Sequence, residues 1–121
     1  AKLVAQPPHW LDGLVGAGSF YCSVFDLVAY DVGLARNLLV SAATKKDIYL
    51  NYSTKMKGMT NYGYGWALDP GGAYADHGGG WAGFSSQIRR YLDDQFSVYI
   101  LCNRSDVDVN AIMAAAVNSY R

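Results

Sequence analysis

The chain has two cysteines in 121 residues, no lysine or arginine run longer than two, and no apolar run near the length of a membrane span. Cys22 and Cys102 are too few and too far apart for a zinc box or a C-x-x-C redox motif. They are either two small buried hydrophobes or one disulfide pair, and the sequence leaves both open. His9, His77 and Asp76 show no ligand spacing beyond the adjacency of Asp76 and His77, so no metal site and no cofactor is expected. Ten basic and ten acidic residues give a formal net charge of zero. That removes the electrostatic footprint a phosphate backbone requires, and nucleic acid is excluded as a partner. A membrane span needs roughly 18 or more consecutive apolar residues, so no membrane segment is expected. The opening Ala1-Lys2-Leu3-Val4-Ala5-Gln6-Pro7-Pro8 has neither an initiator Met nor the apolar stretch of a signal peptide, which reads as a fragment or a processed chain.

What is present is apolar material: 51% hydrophobic residues against 17% charged. The length suits a single domain over residues 1–121, and a domain of this size buries roughly two-thirds of its unfolded surface. Residues 1–22, with two prolines and the glycines around Gly16-Ala17-Gly18-Ser19, read as a loop. Ser23-Val24-Phe25-Asp26 has the form of a capping box. A helix is therefore expected over 23–40, with Val24, Leu27, Tyr30, Leu34 and Leu38 on one face. Asp31 falls in the middle of that face, where an unpaired carboxylate is costly, so it either has a partner or lies at a solvated or covered border. Residues 41–60, where Lys45, Lys46, Lys55 and Lys57 mix with Tyr49, Tyr52, Met56 and Met59, suit a short helix followed by a loop.

From Asn61 the texture becomes that of strands. Tyr62 to Leu68 alternates aromatic and small residues, Asp69-Pro70-Gly71-Gly72 makes a turn, and Ala73 to His77 runs extended, which reads as a hairpin. Phe84, Ser86, Ile88, Arg90 and Leu92 form one alternating set and Phe96, Val98, Ile100 and Cys102 another, with Asp93-Asp94-Gln95 as the turn between them. The last strand also carries Tyr99 and Leu101, so both its faces are apolar and a central place in the sheet is expected. Ser105-Asp106-Val107-Asp108 repeats the capping-box form ahead of Val109, Ile112, Met113, Ala116, Val117 and Tyr120 at helical spacing. The fold class read from this order is α+β: antiparallel strands over 61–103, with an N-terminal helix and a C-terminal helix at 106–120 packed on them.

The most unusual stretch is His77-Gly78-Gly79-Gly80-Trp81-Ala82-Gly83-Phe84. Three successive glycines after a strand allow a ligand to meet the backbone directly. A free N–H aimed at a developing oxyanion contributes roughly 3–4 kcal/mol of transition-state stabilisation. A flexible glycine connection beside a surface histidine is the plainer alternative.

Around this stretch stands an ordered set of motifs that resembles the serine β-lactamase, penicillin-binding protein and class C-like esterase superfamily. His77-Gly78-Gly79 is similar to the superfamily's Lys-Thr-Gly box, which is His-x-Gly in some members. Gly18 to Leu27 resembles its glycine, Ser/Thr, Asp-Leu approach to a helix. Tyr62-Gly63-Tyr64-Gly65-Trp66 resembles the Tyr-Gly-x-Gly-Trp ahead of the box, Gly83-Phe84-Ser85 the Gly-Phe-Ser after it, and Leu101-Cys102-Asn103 the closing Leu-x-Asn. The resemblance implies that the chain is the C-terminal portion of such a fold, acting on amide or ester bonds in a small-molecule or peptide substrate. It implies that His77 holds a substrate carboxylate or carbonyl and tunes the catalytic protons, that Gly80 supplies an oxyanion-hole N–H, and that Gly78, Gly79 and Trp81 line the substrate site. Trp66 and Tyr64 are expected to pack in the sheet.

The superfamily's nucleophile is the serine of Ser-x-x-Lys, and no serine here has a lysine three residues later. Tyr49-Leu50-Asn51 has the letters of the superfamily's Tyr-x-Asn motif but follows the Ser23 helix where the motif should precede it, and reads as a coincidence. Two parts of covalent acyl transfer are therefore missing, and the chain alone is expected to be inactive. Its expected partner is an N-terminal segment carrying Ser-x-x-Lys, joined covalently or supplied in trans. The alternative is a non-catalytic binding or interaction module, in which exposed Trp10, Trp66 or Trp81 would favour a homodimer.

Overall fold

The structure is a computed structural model that describes residues 4–5, 7–16, 18–53, 61–94 and 96–120. Lys55, Met56, Lys57, Met59 and Gln95, and the side chain of Trp10, lie outside the described residues. A 3-10 turn at Trp10–Gly13 is followed by helices α1 (Val24–Ala35) and α2 (Ala42–Ile48). Strands β1 (Ala67–Leu68), β2 (Tyr74–Trp81), β3 (Phe84–Tyr91) and β4 (Ser97–Cys102) come next, and helix α3 (Val109–Tyr120) closes the described chain. The strands form one antiparallel sheet in the order β1-β2-β3-β4. The architecture is α+β, with helices before and after the sheet.

The capping box at α1 forms as its letters suggest: Ser23 Oγ accepts from Asp26 N at 3.3 Å and Asp26 Oδ2 accepts from Ser23 N at 2.8 Å. The helix stops at Ala35, short of Val40. Asn37 takes a left-handed φ of 58°, and the N–H groups of Asn37 and Leu38 donate to Leu34 and Gly33 carbonyls at 3.3 and 2.8 Å. This is the paired 5→2 and 6→1 termination of a helix, with asparagine in the place more often held by glycine. Lys45 of α2 donates to the carbonyl of Ala35 at 2.8 Å, satisfying another free end of α1.

Three strand expectations change. The Tyr62–Leu68 stretch contributes only the two residues of β1, because Gly65 at φ 76° folds the chain back so that Tyr62 bridges Ala67. Gly63 in that turn lies where a Cβ would sit 2.2 Å from the Ile48 carbonyl oxygen, so this tyrosine-glycine pattern serves a close backbone approach to the end of α2. The triple glycine is not a connection but part of β2: pairing with β3 continues to Trp81↔Phe84, and Ala82-Gly83 makes the turn, with Gly83 at φ 83°. Cross-strand pairing overrides the low strand propensity of glycine. Finally, β4 stands at the end of the strand order instead of the centre. Its two apolar faces are accounted for by helices on both sides, since α3 packs against β3 and β4 while α1 contacts β4.

Pleating and register divide the side chains between two faces. Tyr91, Ile100 and Val98 lie on the face covered by α3, where Tyr91, Ile100, Met113 and Val117 form a buried cluster with Tyr74, Phe96, Cys102 and Val109 around it. Ser105 does not cap α3. Asp108 Oδ1 accepts from Asn110 N and Ala111 N at 3.0 and 3.1 Å, while Asp106 is engaged by Arg104. On the opposite face Arg90 of β3 is 7% exposed and pairs with Asp31 of α1, to which Ser97 Oγ of β4 also donates at 3.2 Å. The carboxylate that interrupts the α1 stripe thus finds its partner on the sheet. Of the stripe itself Leu34 is buried, whereas Tyr30 and Leu38 are exposed.

Candidate functional site

The site is built on the end of β2 that β1 does not reach. β1 pairs only with Ala75 and Asp76, and Asp69 N donates to Tyr74 O at 3.0 Å. Backbone groups of successive strand residues point alternately to opposite edges. Tyr74, Asp76, Gly78 and Gly80 therefore direct their N–H and C=O groups toward the β1 side, and beyond Asp76 no described strand occupies that edge.

The three glycines differ in their reasons. A Cβ on Gly78 would lie 2.6 Å from Gln87 Oε1 and one on Gly79 2.4 Å from Ser86 Oγ, so the side chains of β3 use the space these residues leave. At Gly80 nothing lies within 4 Å of that position. Among the described residues, packing does not require glycine there.

A cavity of about 700 Å³ lies against this end of the sheet. Its floor is the α1-side face of the strands, with His77, Gly79, Ser86, Ile88 and Leu101. The loop from Gly18 to Cys22, together with Leu27 of α1, forms the opposite wall. That loop is conformationally particular: Gly18 has φ 153°, and Ser19 holds the left-handed φ of 60° that a residue with a Cβ adopts at a cost of the order of 1 kcal/mol or more. Trp81 and Leu14 complete the lining. Trp81 Nε1 donates to Asp12 Oδ1 at 2.8 Å, and the His9 imidazole meets the indole edge-on at 5.2 Å between centroids. His9 N and Trp81 both donate to Asp12, which holds this carboxylate below the ordinary aspartate range.

All five residues singled out in the sequence, His77, Gly78, Gly79, Gly80 and Trp81, line this one cavity. His77 is exposed on the cavity face. Its neighbour Asp76 points to the other face and is held by both guanidinium donors of Arg89 at 2.8 and 2.7 Å, so the adjacent pair does not act as one unit. The sequence reading missed Asp12, Leu14, Ser19 and Cys22. For Ser19 the Gly-rich loop was a visible signal; the contact between Asp12 and Trp81 spans 69 residues and no local pattern announces it.

The two cysteines are free, on opposite sides: Cys22 lines the cavity, whereas Cys102 packs beside the α3 cluster. Among the described residues, Ser19 and Ser86 are the serines of the lining and no lysine belongs to it. Ser86 Oγ donates to Gly79 O at 3.4 Å. Tyr49 and Asn51 belong to a different cavity of about 310 Å³. Burial, and then the neighbouring Tyr30 and Tyr99, push the Tyr49 phenol up to about 12. Asn51 Oδ1 accepts from Ser53 N, Ser53 Oγ and Tyr62 N, a local structural role. Trp66 is buried against Tyr49, whereas Tyr64 is 60% exposed and stacks on Tyr52 instead of packing in the sheet.

Comparison with known proteins finds a distant, partial similarity. Penicillin-binding protein 4* of Bacillus subtilis (strain 168) is 29% identical over 100 residues, which cover 80% of this chain and 22% of that protein. The chain thus corresponds to about a fifth of that relative's length, and the similarity supports a relationship to penicillin-binding proteins. No family model matches the sequence. No solved structure matches it either.

Proposed function

We propose that this chain supplies the substrate-binding and oxyanion wall of a serine hydrolase that cleaves amide or ester bonds through an acyl-enzyme. The observation that carries the reading is the open edge of β2 at Gly80 beside the 700 Å³ cavity. A carbonyl lying along that edge would receive the Gly80 N–H as its negative charge develops, and a preorganised donor acts there without reorganisation. His77 would hold a substrate carboxylate or carbonyl and tune the proton network, with Gly78, Gly79 and Trp81 lining the site. The apolar side of the cavity, Leu14, Phe20, Leu27 and Ile88, would take the acyl group's hydrocarbon.

Chemistry on this wall needs a nucleophile from elsewhere. In the proposed reaction a serine of a Ser-x-x-Lys segment, joined covalently or supplied in trans, forms a C–O bond to the carbonyl. The C–N or C–O bond to the leaving group breaks as that group takes a proton, and water then releases the acid. Turnover of a p-nitrophenyl ester tests the reading, measured on this chain alone and joined to a segment carrying Ser-x-x-Lys. The joined protein should turn over and the isolated chain should not. Serine-dependent turnover by the isolated chain would contradict the division of labour.

A second reading, a non-catalytic interaction module that pairs with its own copy, has one observation in its favour. The outer side of α1 and the loop before it expose Tyr21 and Phe25 at 72% and 82%. These, and not Trp66, would form the contact, since Trp66 is buried and Trp81 is held by Asp12. Sedimentation separates the readings: a dimer abolished by Phe25→Asp favours the module, and a monomer at high concentration counts against it.

A further inference from the structure

We propose that the segment from His9 to Leu14 is a strap that sets the mouth of the cavity, with Asp12 as the positioning residue that fixes Trp81. The Asp12 carboxylate is used at both oxygens: Oδ1 accepts from Trp81 Nε1 at 2.8 Å and Oδ2 from His9 N at 2.6 Å. Asp12 N returns a hydrogen bond to His9 O at 2.9 Å, so the acceptor is held by its own turn. An indole offers a single N–H and no acceptor, and one well-held partner is enough to choose its orientation. The His9 ring, edge-on to the indole at an interplanar angle of 81°, supports the same choice.

The clamp matters because of where Trp81 stands. It closes the β2–β3 hairpin opposite Phe84, and Phe84 is met edge-on at 6.0 Å by Tyr21 from the loop that forms the facing wall. Leu14, two residues beyond Asp12, reaches the cavity lining. Trp81, Leu14 and the 18–22 loop therefore frame one opening, and the Asp12 contact ties the first of these to the segment that carries the second. On the hydrolase reading above, on which this consequence rests, the strap is the wall met by the acyl group. Releasing it widens the mouth toward bulkier apolar acyl groups. The clamp itself does not depend on that reading.

The test needs no substrate. In the whole chain carrying Cys102→Ala, Cys22 in the cavity wall is the reactive thiol, and its alkylation by iodoacetamide is followed alongside exchange of the Trp81 indole N–H with water by NMR. Asp12→Ala is expected to speed alkylation by about three- to tenfold and to remove indole protection, as loss of a charge-assisted hydrogen bond does. Asp12→Asn keeps one of the two acceptors and sets an NH2 group against the other N–H, so its alkylation rate should fall between those of the parent and Asp12→Ala. Trp81→Phe, which removes the N–H donor together with part of the ring that lines the cavity, should match or exceed Asp12→Ala and serves if that variant does not fold. Alkylation and indole exchange at parental rates in Asp12→Ala, or parental alkylation in Trp81→Phe, would overturn the proposal. Clamp results as expected, together with no ester turnover by the joined protein, would contradict the acyl-site reading and leave the strap standing.

Discussion

On the α3 side of the sheet, Tyr91, Ile100, Met113 and Val117 are buried against one another and Phe96 stacks on Tyr120 at 4.2 Å. On the α1 side stands an ion pair of the buried Arg90 with the half-buried Asp31, beside a cavity with exposed backbone. The first face is joined to its helix by area removed from water, which is non-directional and tolerant of small adjustments. The second joins α1 through the buried Leu34 and through a directional ion pair, whose groups need each other's geometry. A face that must leave β2 accessible has less apolar area available for packing. A directional clamp placed away from the cavity lets α1 hold its wall in position without filling the space.

Breaking the clamp should therefore cost more than its size suggests. Asp31→Ala leaves the Arg90 guanidinium buried without its carboxylate and is expected to lower stability by about 3 kcal/mol, measured by denaturant unfolding. Burial already works against the charged form of Arg90, holding its pKa below the usual arginine value. The double variant Asp31→Leu, Arg90→Met should recover most of that loss. A double variant no better than Asp31→Ala would mean that the pair is more than a compensated charge.

On the other face Met113→Ala, at a side chain 1% exposed, is expected to cost about 2–4 kcal/mol. It should leave Cys22 alkylation unchanged if the two faces are independent. Smaller and opposite in sign, Ser19→Gly should raise stability by about 0.5–1 kcal/mol by removing a Cβ from a left-handed φ of 60°.

The smallest effect concerns acid. Hydrogen bonds from Ser23 backbone and hydroxyl hold the Asp26 carboxyl below its ordinary 3.8. Its folded value being depressed, the capping contribution is present above about pH 4 and is lost as pH falls through the folded value. Asp26→Ala should flatten the acid limb of a thermal-melt profile below pH 4 and leave its neutral part parallel to the parent's.

Much of the fold could be read because the governing interactions are local. Ser23 and Asp26 are three residues apart, and the alternating sets of β3 and β4 are pleat periodicity. The features that could not be read are those decided by distant partners. Asn37 ends α1 through a backbone conformation that its neighbours do not dictate. Gly78 to Gly80 form a strand because β3 pairs with them, and β4 looked central because two helices cover what a sheet interior would also cover. At the site, the octet from His77 to Phe84 was conspicuous by composition alone. The facing wall, with Ser19 and Cys22, shows in the sequence as a glycine-rich loop, but its meeting with the octet, like the Asp12 contact with Trp81, joins chain segments some fifty-five or more residues apart and leaves no mark at spacing three or four.

On the proposed function, this chain carries the receiving wall of an acyl-transfer site and the nucleophile lies on another segment. The most direct measurement is mass-spectrometric mapping of the serine acylated by a fluorescent penicillin, in this chain alone and joined to a segment carrying Ser-x-x-Lys. No adduct is expected on the isolated chain, and in the joined protein an adduct is expected on the serine of Ser-x-x-Lys. That adduct should form about a hundredfold more slowly in Gly80→Pro, which deletes the edge N–H. An adduct on Ser19 or Ser86 of the isolated chain would contradict the proposed function.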